Sequence, residues 1–165
     1  MNKNNIITGI LIILSIFIAF YQYKKYNIAP KITFPNLSLT DLDNNPVDWK
    51  QIQKPVFINF FGTWCLDCKK EMPELAILYG AFQREGIEMI LISDEPVEIL
   101  KNYKNNTALP MKIYHINTSL QEIGIHTFPT SYLINKEQEV VYKATNVQDW
   151  TGEKLKKELI EAVKP

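Results

Sequence analysis

The spacing of apolar and polar positions changes several times along the chain. Residues 6–23 (IITGILIILSIFIAFYQY) are apolar almost throughout, up to an aromatic edge. As a helix they reach roughly 27 Å, close to the hydrocarbon thickness of a bilayer. A buried core helix would carry a polar face, which this run lacks. The pattern predicts a short tail over residues 1–5, a transmembrane anchor over 6–23, a tether over 24–31 and one folded domain over 32–165. A retained anchor fits better than a cleaved signal peptide, because the run is long, Tyr21, Tyr23 and Tyr26 edge it like an interfacial belt, and no A-x-A site follows. No cysteine stands just after the run to take a lipid.

Beyond residue 31 the period alternates between strand-like and helix-like, without repeats. Ile32 to Leu39 and Val47 suggest extended chain around an Asp43-Asn44-Asn45-Pro46 turn. Residues 55–61 (PVFINFF) form the short apolar run of a strand covered on both faces. A helix should run from the cysteines toward Arg84, with Leu75, Leu78, Tyr79 and Phe82 inward, a kink at Pro73 and a stop at Gly86. Residues 87–92 (IEMILI) read as a second buried strand, followed by a helix capped by Ser93 or Asp94 with Pro96 in its first turn. A third strand is expected over 111–116, one or two helical turns over 118–123 and a hairpin over 130–134 and 139–144. A last helix should be capped by Thr151. The order is βαβ, a further helical crossover, then ββα: an α/β domain with a mixed sheet flanked by helices.

Composition narrows the function. The 165 residues are 46% hydrophobic, 12% aromatic and 22% charged, an ordinary globular balance. Eighteen basic and eighteen acidic residues cancel, and Arg84 is the one arginine, so no basic stripe for nucleic acid exists. Two cysteines cannot build a multi-bridge scaffold, nor complete a zinc or iron–sulfur site alone. The flanks of the apolar run are both basic, with Lys3 on one side and Lys24, Lys25 and Lys31 on the other, so the positive-inside count does not orient it.

The sharpest signal is Trp64-Cys65-Leu66-Asp67-Cys68, between an expected buried strand and an expected helix. With Cys65 at the helix start, Cys68 lies one turn on and on the same face, so the two sulfurs can bond reversibly. Unpaired backbone N–H groups and the positive end of the helix dipole favour a thiolate on the first sulfur. Cys65 is then the nucleophile, and Cys68 resolves the mixed disulfide. Zinc completed by His115 and His126 matches no familiar ligand spacing, and no metal site is assigned. A static disulfide closing four residues would restrain little chain entropy. His115 receives no role; His126 draws interest through its place beside Pro129.

The run Asn59-Phe60-Phe61-Gly62-Thr63-Trp64-Cys65-Leu66-Asp67-Cys68-Lys69-Lys70-Glu71-Met72-Pro73 resembles the active-site stretch of membrane-tethered, thioredoxin-like thiol-disulfide oxidoreductases of the ResA/TlpA type. Gly124-Ile125-His126-Thr127-Phe128-Pro129-Thr130 resembles the loop that carries that superfamily's cis-proline. The resemblance, which extends from about Lys31 to the carboxyl end, implies a thioredoxin-like fold with Pro129 cis. It implies further that Phe128 offers its backbone to an extended substrate, Trp64 shields one side of the disulfide, and Glu71 is an acid near the dithiol that handles protons. Glu71 also reads simply as a solvated first-turn helix charge. Asn59 stands where cytosolic thioredoxins carry a buried aspartate, so that proton relay is absent. Leu66-Asp67 departs from the family, in which a proline commonly precedes the second cysteine. The charge of Asp67 should raise the Cys65 pKa and make the couple more reducing.

The implied activity is reduction of disulfides in exported proteins, as in cytochrome c maturation or copper-site assembly. A membrane thiol-disulfide carrier would supply electrons to a catalytic domain outside the cytoplasm, periplasmic or on the outer face of a bacterial inner membrane, with no cofactor. Two alternatives stay open, a disulfide-introducing oxidant of the same fold and a non-enzymatic copper(I) chaperone. A thiol peroxidase fits less well, because Thr63 lies two residues before Cys65 rather than three.

Overall fold

The computed structural model describes residues 3–49 and 52–164, so residues 1 and 2 of the expected tail, and residues 50, 51 and 165 of the expected domain, lie outside the described residues. Helix α1 spans Lys3–Asn27. Its apolar side chains, among them Ile10, Leu11, Ile13, Phe17 and Phe20, are exposed. Among the described residues it is the one helix long and apolar enough to cross a bilayer, over Ile6–Lys25. Tyr21 and Tyr23 are exposed near its end, while the side chain of Tyr26 lies outside the described set.

After a 3-10 turn at Phe34–Asn36 come β1 (Leu39–Thr40) and β2 (Pro46–Val47). Asp41 organises the turn between them, accepting from the Asn45 backbone N–H and side-chain amide at 2.8 and 2.9 Å. The domain continues with β3 (Val56–Phe60), α2 (Leu66–Arg84), β4 (Glu88–Ser93), α3 (Val97–Thr107), β5 (Lys112–Ile116), β6 (Thr130–Ile134), β7 (Val140–Thr145) and α4 (Glu153–Ala162). They form a seven-stranded sheet in the order β2-β1-β5-β4-β3-β6-β7. The two parallel pairs are β3/β4 and β4/β5, and the remaining pairs are antiparallel. This is the thioredoxin-like α/β order.

Both parallel crossovers advance in the same direction across the sheet, so a right-handed path puts α2 and α3 on one face. There Leu75, Leu78 and Phe82 of α2, Leu100 of α3 and Leu159 of α4 pack on Phe57, Met89, Leu91 and Leu133. The opposite face carries Ile58, Phe60, Ile92 and Tyr132, and is covered by Phe34, Trp49, Leu120 and Ile125 rather than by a helix. Phe34 meets Tyr132, Trp49 and Phe60 at ring separations of 5.2, 6.1 and 6.4 Å.

The helix boundaries depart from the expected caps. α2 ends as expected, with Gly86 at φ 71° and Ile87 N–H donating to the Phe82 carbonyl at 2.9 Å, the closure that glycine permits. α2 runs unbroken through Pro73. α3 has Pro96 at its N-cap and no side-chain cap. Ser93 still belongs to β4, and the Asp94 carboxylate instead accepts the Leu120 N–H at 2.9 Å. At α4 the cap position is Gly152 rather than Thr151; the Asp149 carboxylate takes both the Gly152 N–H and the Thr151 hydroxyl. The turns expected over 118–123 form a non-helical turn, closed by Ile125 N–H on the Leu120 carbonyl at 2.9 Å.

Phe34 substitutes for a covering helix on this face. Phe34→Ala is expected to lower unfolding free energy by about 3–5 kcal/mol in chemical denaturation; a loss below about 1 kcal/mol would show that the 3-10 segment only lies on the surface.

Candidate active site

β3 is buried along its whole length, and its ladder extends one residue further through Phe61 N–H on the Ile92 carbonyl at 3.0 Å. The chain then turns through Gly62, Thr63 and Trp64, with Cys65 N–H donating to the Gly62 carbonyl at 3.1 Å. Cys65 occupies the N-cap of α2, and its sulfur accepts the Cys68 N–H at 3.2 Å. That hydrogen bond and the helix dipole act on the same atom, and both favour the thiolate when the pair is reduced. Cys65 and Cys68 are joined as a disulfide, with Cα atoms 5.3 Å apart. Cys65 keeps 7% exposure and Cys68 none, so Cys65 is the sulfur open to the surface.

The lip of the site is apolar. Trp64 is 63% exposed and packs edge-on against Phe128 at 5.4 Å. Phe128–Pro129 is a cis peptide, with Pro129 buried and Thr130 hydroxyl closing the loop onto the Thr127 carbonyl at 2.7 Å. Gly62 is dictated by this packing: a Cβ there would stand 2.7 Å from the Trp64 ring. Leu66 is 71% exposed next to Cys65. The charge of Asp67 is engaged by Lys70 at 2.8 Å on the exposed side of α2, which tempers its effect on the neighbouring sulfur.

Behind the dithiol lies a buried polar group. Glu71, one turn after Cys68, is 1% exposed, not a solvated helix charge. Its two oxygens accept separate donors, Asn59 Nδ2 and Trp150 Nε1, each at 2.7 Å. Asn59 also donates to the Ser131 hydroxyl at 3.0 Å, while its own Oδ1 has no partner. Burial pushes the Glu71 carboxyl up to about 7, against the pull of the Trp150 and Asn59 hydrogen bonds, and the negative charges of Glu74 and Asp67 add to the rise. A carboxyl poised there exchanges a proton near neutral pH.

Sequence reasoning missed Glu95. Its carboxylate receives both the Thr63 N–H and hydroxyl, at 2.5 and 2.7 Å, so the loop before Cys65 is pinned from the end of β4. The backbone carbonyl of Glu95 in turn meets His115 Nδ1 at 3.0 Å. Nothing in the linear pattern separates Glu95 from an ordinary acid ahead of a helix. Trp150 was equally silent, lying 79 residues from the carboxyl it binds. His126 sits in the loop leading to Phe128, half-buried.

A Cys-x-x-Cys heading the helix that leaves the central strand, faced by a cis-proline loop entering the adjacent antiparallel strand, defines a thioredoxin-like thiol-disulfide oxidoreductase. The chain belongs to the AhpC/TSA family, which matches residues 30–143, and within it to the ResA-type thiol-disulfide oxidoreductases. The thiol-disulfide oxidoreductase ResA of Bacillus cereus (strain ATCC 10987 / NRS 248) is 33% identical, over 99% of this chain and 98% of its own. Two solved structures share the fold. StoA from Bacillus subtilis has a TM-score of 0.60 at 18% identity, covering 77% of this chain and 98% of its own. A thioredoxin-family thiol:disulfide interchange protein from Chlorobium tepidum TLS reaches 0.64 at 21% identity, covering 82% and 100%.

Two outcomes are expected from these contacts. Folded Glu71 holds its proton above the pH at which the unfolded chain releases it, so its burial lowers stability progressively as pH rises from about 4.5 to about 7. Between pH 5 and 8 the oxidised wild type should therefore lose on the order of 2–3 kcal/mol more than Glu71→Gln in parallel denaturant titrations; parallel curves would contradict a raised carboxyl. Gly62→Ala should swing the exposed Trp64 ring away from Phe128, shifting its emission and slowing attack on partner disulfides, while stability changes by less than about 1 kcal/mol.

Proposed function

We propose that the chain is anchored in a membrane by residues 6–23, connected through 24–31, and carries in 32–165 a catalytic domain outside the cytoplasm. There it reduces disulfides in exported proteins of the cytochrome c maturation or copper-site assembly type. The observation that carries this reading is the Cys65 sulfur at the head of α2, accepting the Cys68 N–H, with a buried carboxyl behind it. The exposed apolar surface of α1 supports the anchor.

In the reduced enzyme the Cys65 thiolate attacks one sulfur of the partner's disulfide, and the partner's other sulfur leaves and takes up a proton. Cys68 then gives up its proton and attacks Cys65 in the mixed disulfide. The partner departs as a dithiol and the Cys65–Cys68 disulfide forms, so two electrons have moved to the partner. A thiol-disulfide carrier in the membrane returns them. Cys68 is fully buried, so its proton needs an internal acceptor, and Glu71 lies on the same helix face one turn on. Trp64 and Phe128 flank the attacked bond, and the Phe128 backbone ahead of Pro129 holds an extended segment of the partner.

The equilibrium potential of the full chain in detergent micelles, read from Trp64 emission in dithiothreitol or glutathione buffers, tests the direction of the reaction. A value near or below roughly −270 mV is expected, and one near roughly −120 mV would mark a disulfide donor instead. Cys68→Ser should accumulate a mixed disulfide through Cys65, whereas Cys65→Ser should form none. Peroxide consumption without any protein partner, or failure of the pair to cycle, would overturn the assignment.

A further inference from the structure

The chain leaving α1 is seated on the domain. Ala29 and Ile32 are buried. The Ala29 carbonyl accepts from Lys143 Nζ at 3.0 Å, and the Pro30 carbonyl accepts from the Tyr132 hydroxyl at 2.8 Å. Pro30 also lies against Gly124, whose φ is 87° and where a Cβ would come within 3.2 Å of the proline ring. From there the chain runs toward the β6–β7 turn, where residues 31–35 flank residues 138–140. Tyr132 and Lys143, which hold this segment, are mid-strand residues of β6 and β7, and the β6–β7 turn marks the end of the sheet away from the dithiol. Running back from Ala29, the chain heads away from that turn, so α1 approaches from the dithiol side.

Where α1 leaves, a cleft of about 590 Å3 opens between its last turns and the loop before β6. Tyr21, Lys24, Lys25, Lys31, His126 and Lys143 line it, and no carboxylate does. Four lysines gather here on a chain whose net charge is zero, at the level where the apolar run gives way to tyrosines. Lysines at such a level attract anionic headgroups.

We propose that this cleft binds the phosphate headgroup of an anionic phospholipid, and so holds the dithiol end of the domain against the bilayer surface. The inference rests on the anchor reading given above. Phe128, on which Trp64 packs, stands two residues after His126 of the cleft, which brings the partner-binding lip to the same surface. Partners that are themselves membrane-bound then meet Cys65 without the domain having to turn.

The full chain is placed in nanodiscs of phosphatidylcholine, with or without phosphatidylglycerol, each containing a lipid with a headgroup nitroxide. Trp64 is the exposed tryptophan, Trp49 and Trp150 being buried, so quenching of tryptophan emission reads its distance from the surface. Stronger quenching is expected with phosphatidylglycerol, and Lys24→Gln/Lys31→Gln, which alters two exposed side chains, should abolish the difference and weaken phosphatidylglycerol binding about 30-fold. Equal quenching in both discs, or an unchanged difference in the double variant, would overturn the proposal while leaving the anchor intact. Loss of the chain from the discs in a high-salt wash would overturn the anchor reading itself. Excess inorganic phosphate that erased the difference would assign the cleft to free phosphate instead of lipid.

Discussion

β3 is bonded to β4 on one edge and β6 on the other, and packed on both faces. A strand held on four sides leaves the chain one place to emerge, at Phe61, and one direction in which to start α2. Cys65 consequently stands at a helix N-terminus, the location that stabilises a thiolate. The same strand delivers Asn59 inward, toward Glu71 on the helix above it. Glu95, at the far end of the neighbouring strand, then fixes Thr63 from the side. The reactive sulfur is thus positioned by backbone pairing and by one carboxylate, while the disulfide itself closes only a short loop.

Burying Glu71 is unfavourable for its charged form, and the surroundings offset that penalty only in part. Two N–H donors hold the carboxylate oxygens, yet no cation is among the groups that shift it. A salt bridge would have locked the acid ionised, and a wholly apolar pocket would have locked it neutral. Hydrogen bonds from two neutral side chains leave it between those limits.

The connection to α1 is tied to the same strand as the proline loop of the site. Tyr132 links the two, because its ring packs under Phe34 while its hydroxyl, kept protonated by burial, donates to Pro30. The chain leaving α1 is thus held by β6, the strand that the cis-proline loop enters.

The elements, the dithiol and the proline loop were legible in the chain because each depends on local chemistry. An apolar run of five residues, a Cys-x-x-Cys spacing and glycines at turns act over one or two turns of backbone. Element ends were less legible: Ser93, Asp94 and Thr151 are good capping residues, but the distant Leu120 took Asp94, the neighbouring Asp149 took Thr151, and β4 kept Ser93. The polar contacts of the site lay beyond local reading. Asn59 meets Glu71, Glu95 meets Thr63, and Trp150 meets Glu71 across twelve to seventy-nine residues of sequence. Sequence by itself determined where the cysteine pair stands, at the start of α2 and within bonding reach, because helix-start geometry and thiol spacing are short-range. Tertiary structure decided which donors hold the buried acid, which acid holds the loop and which strands hold the chain leaving α1, because those contacts exist only once distant strands have paired.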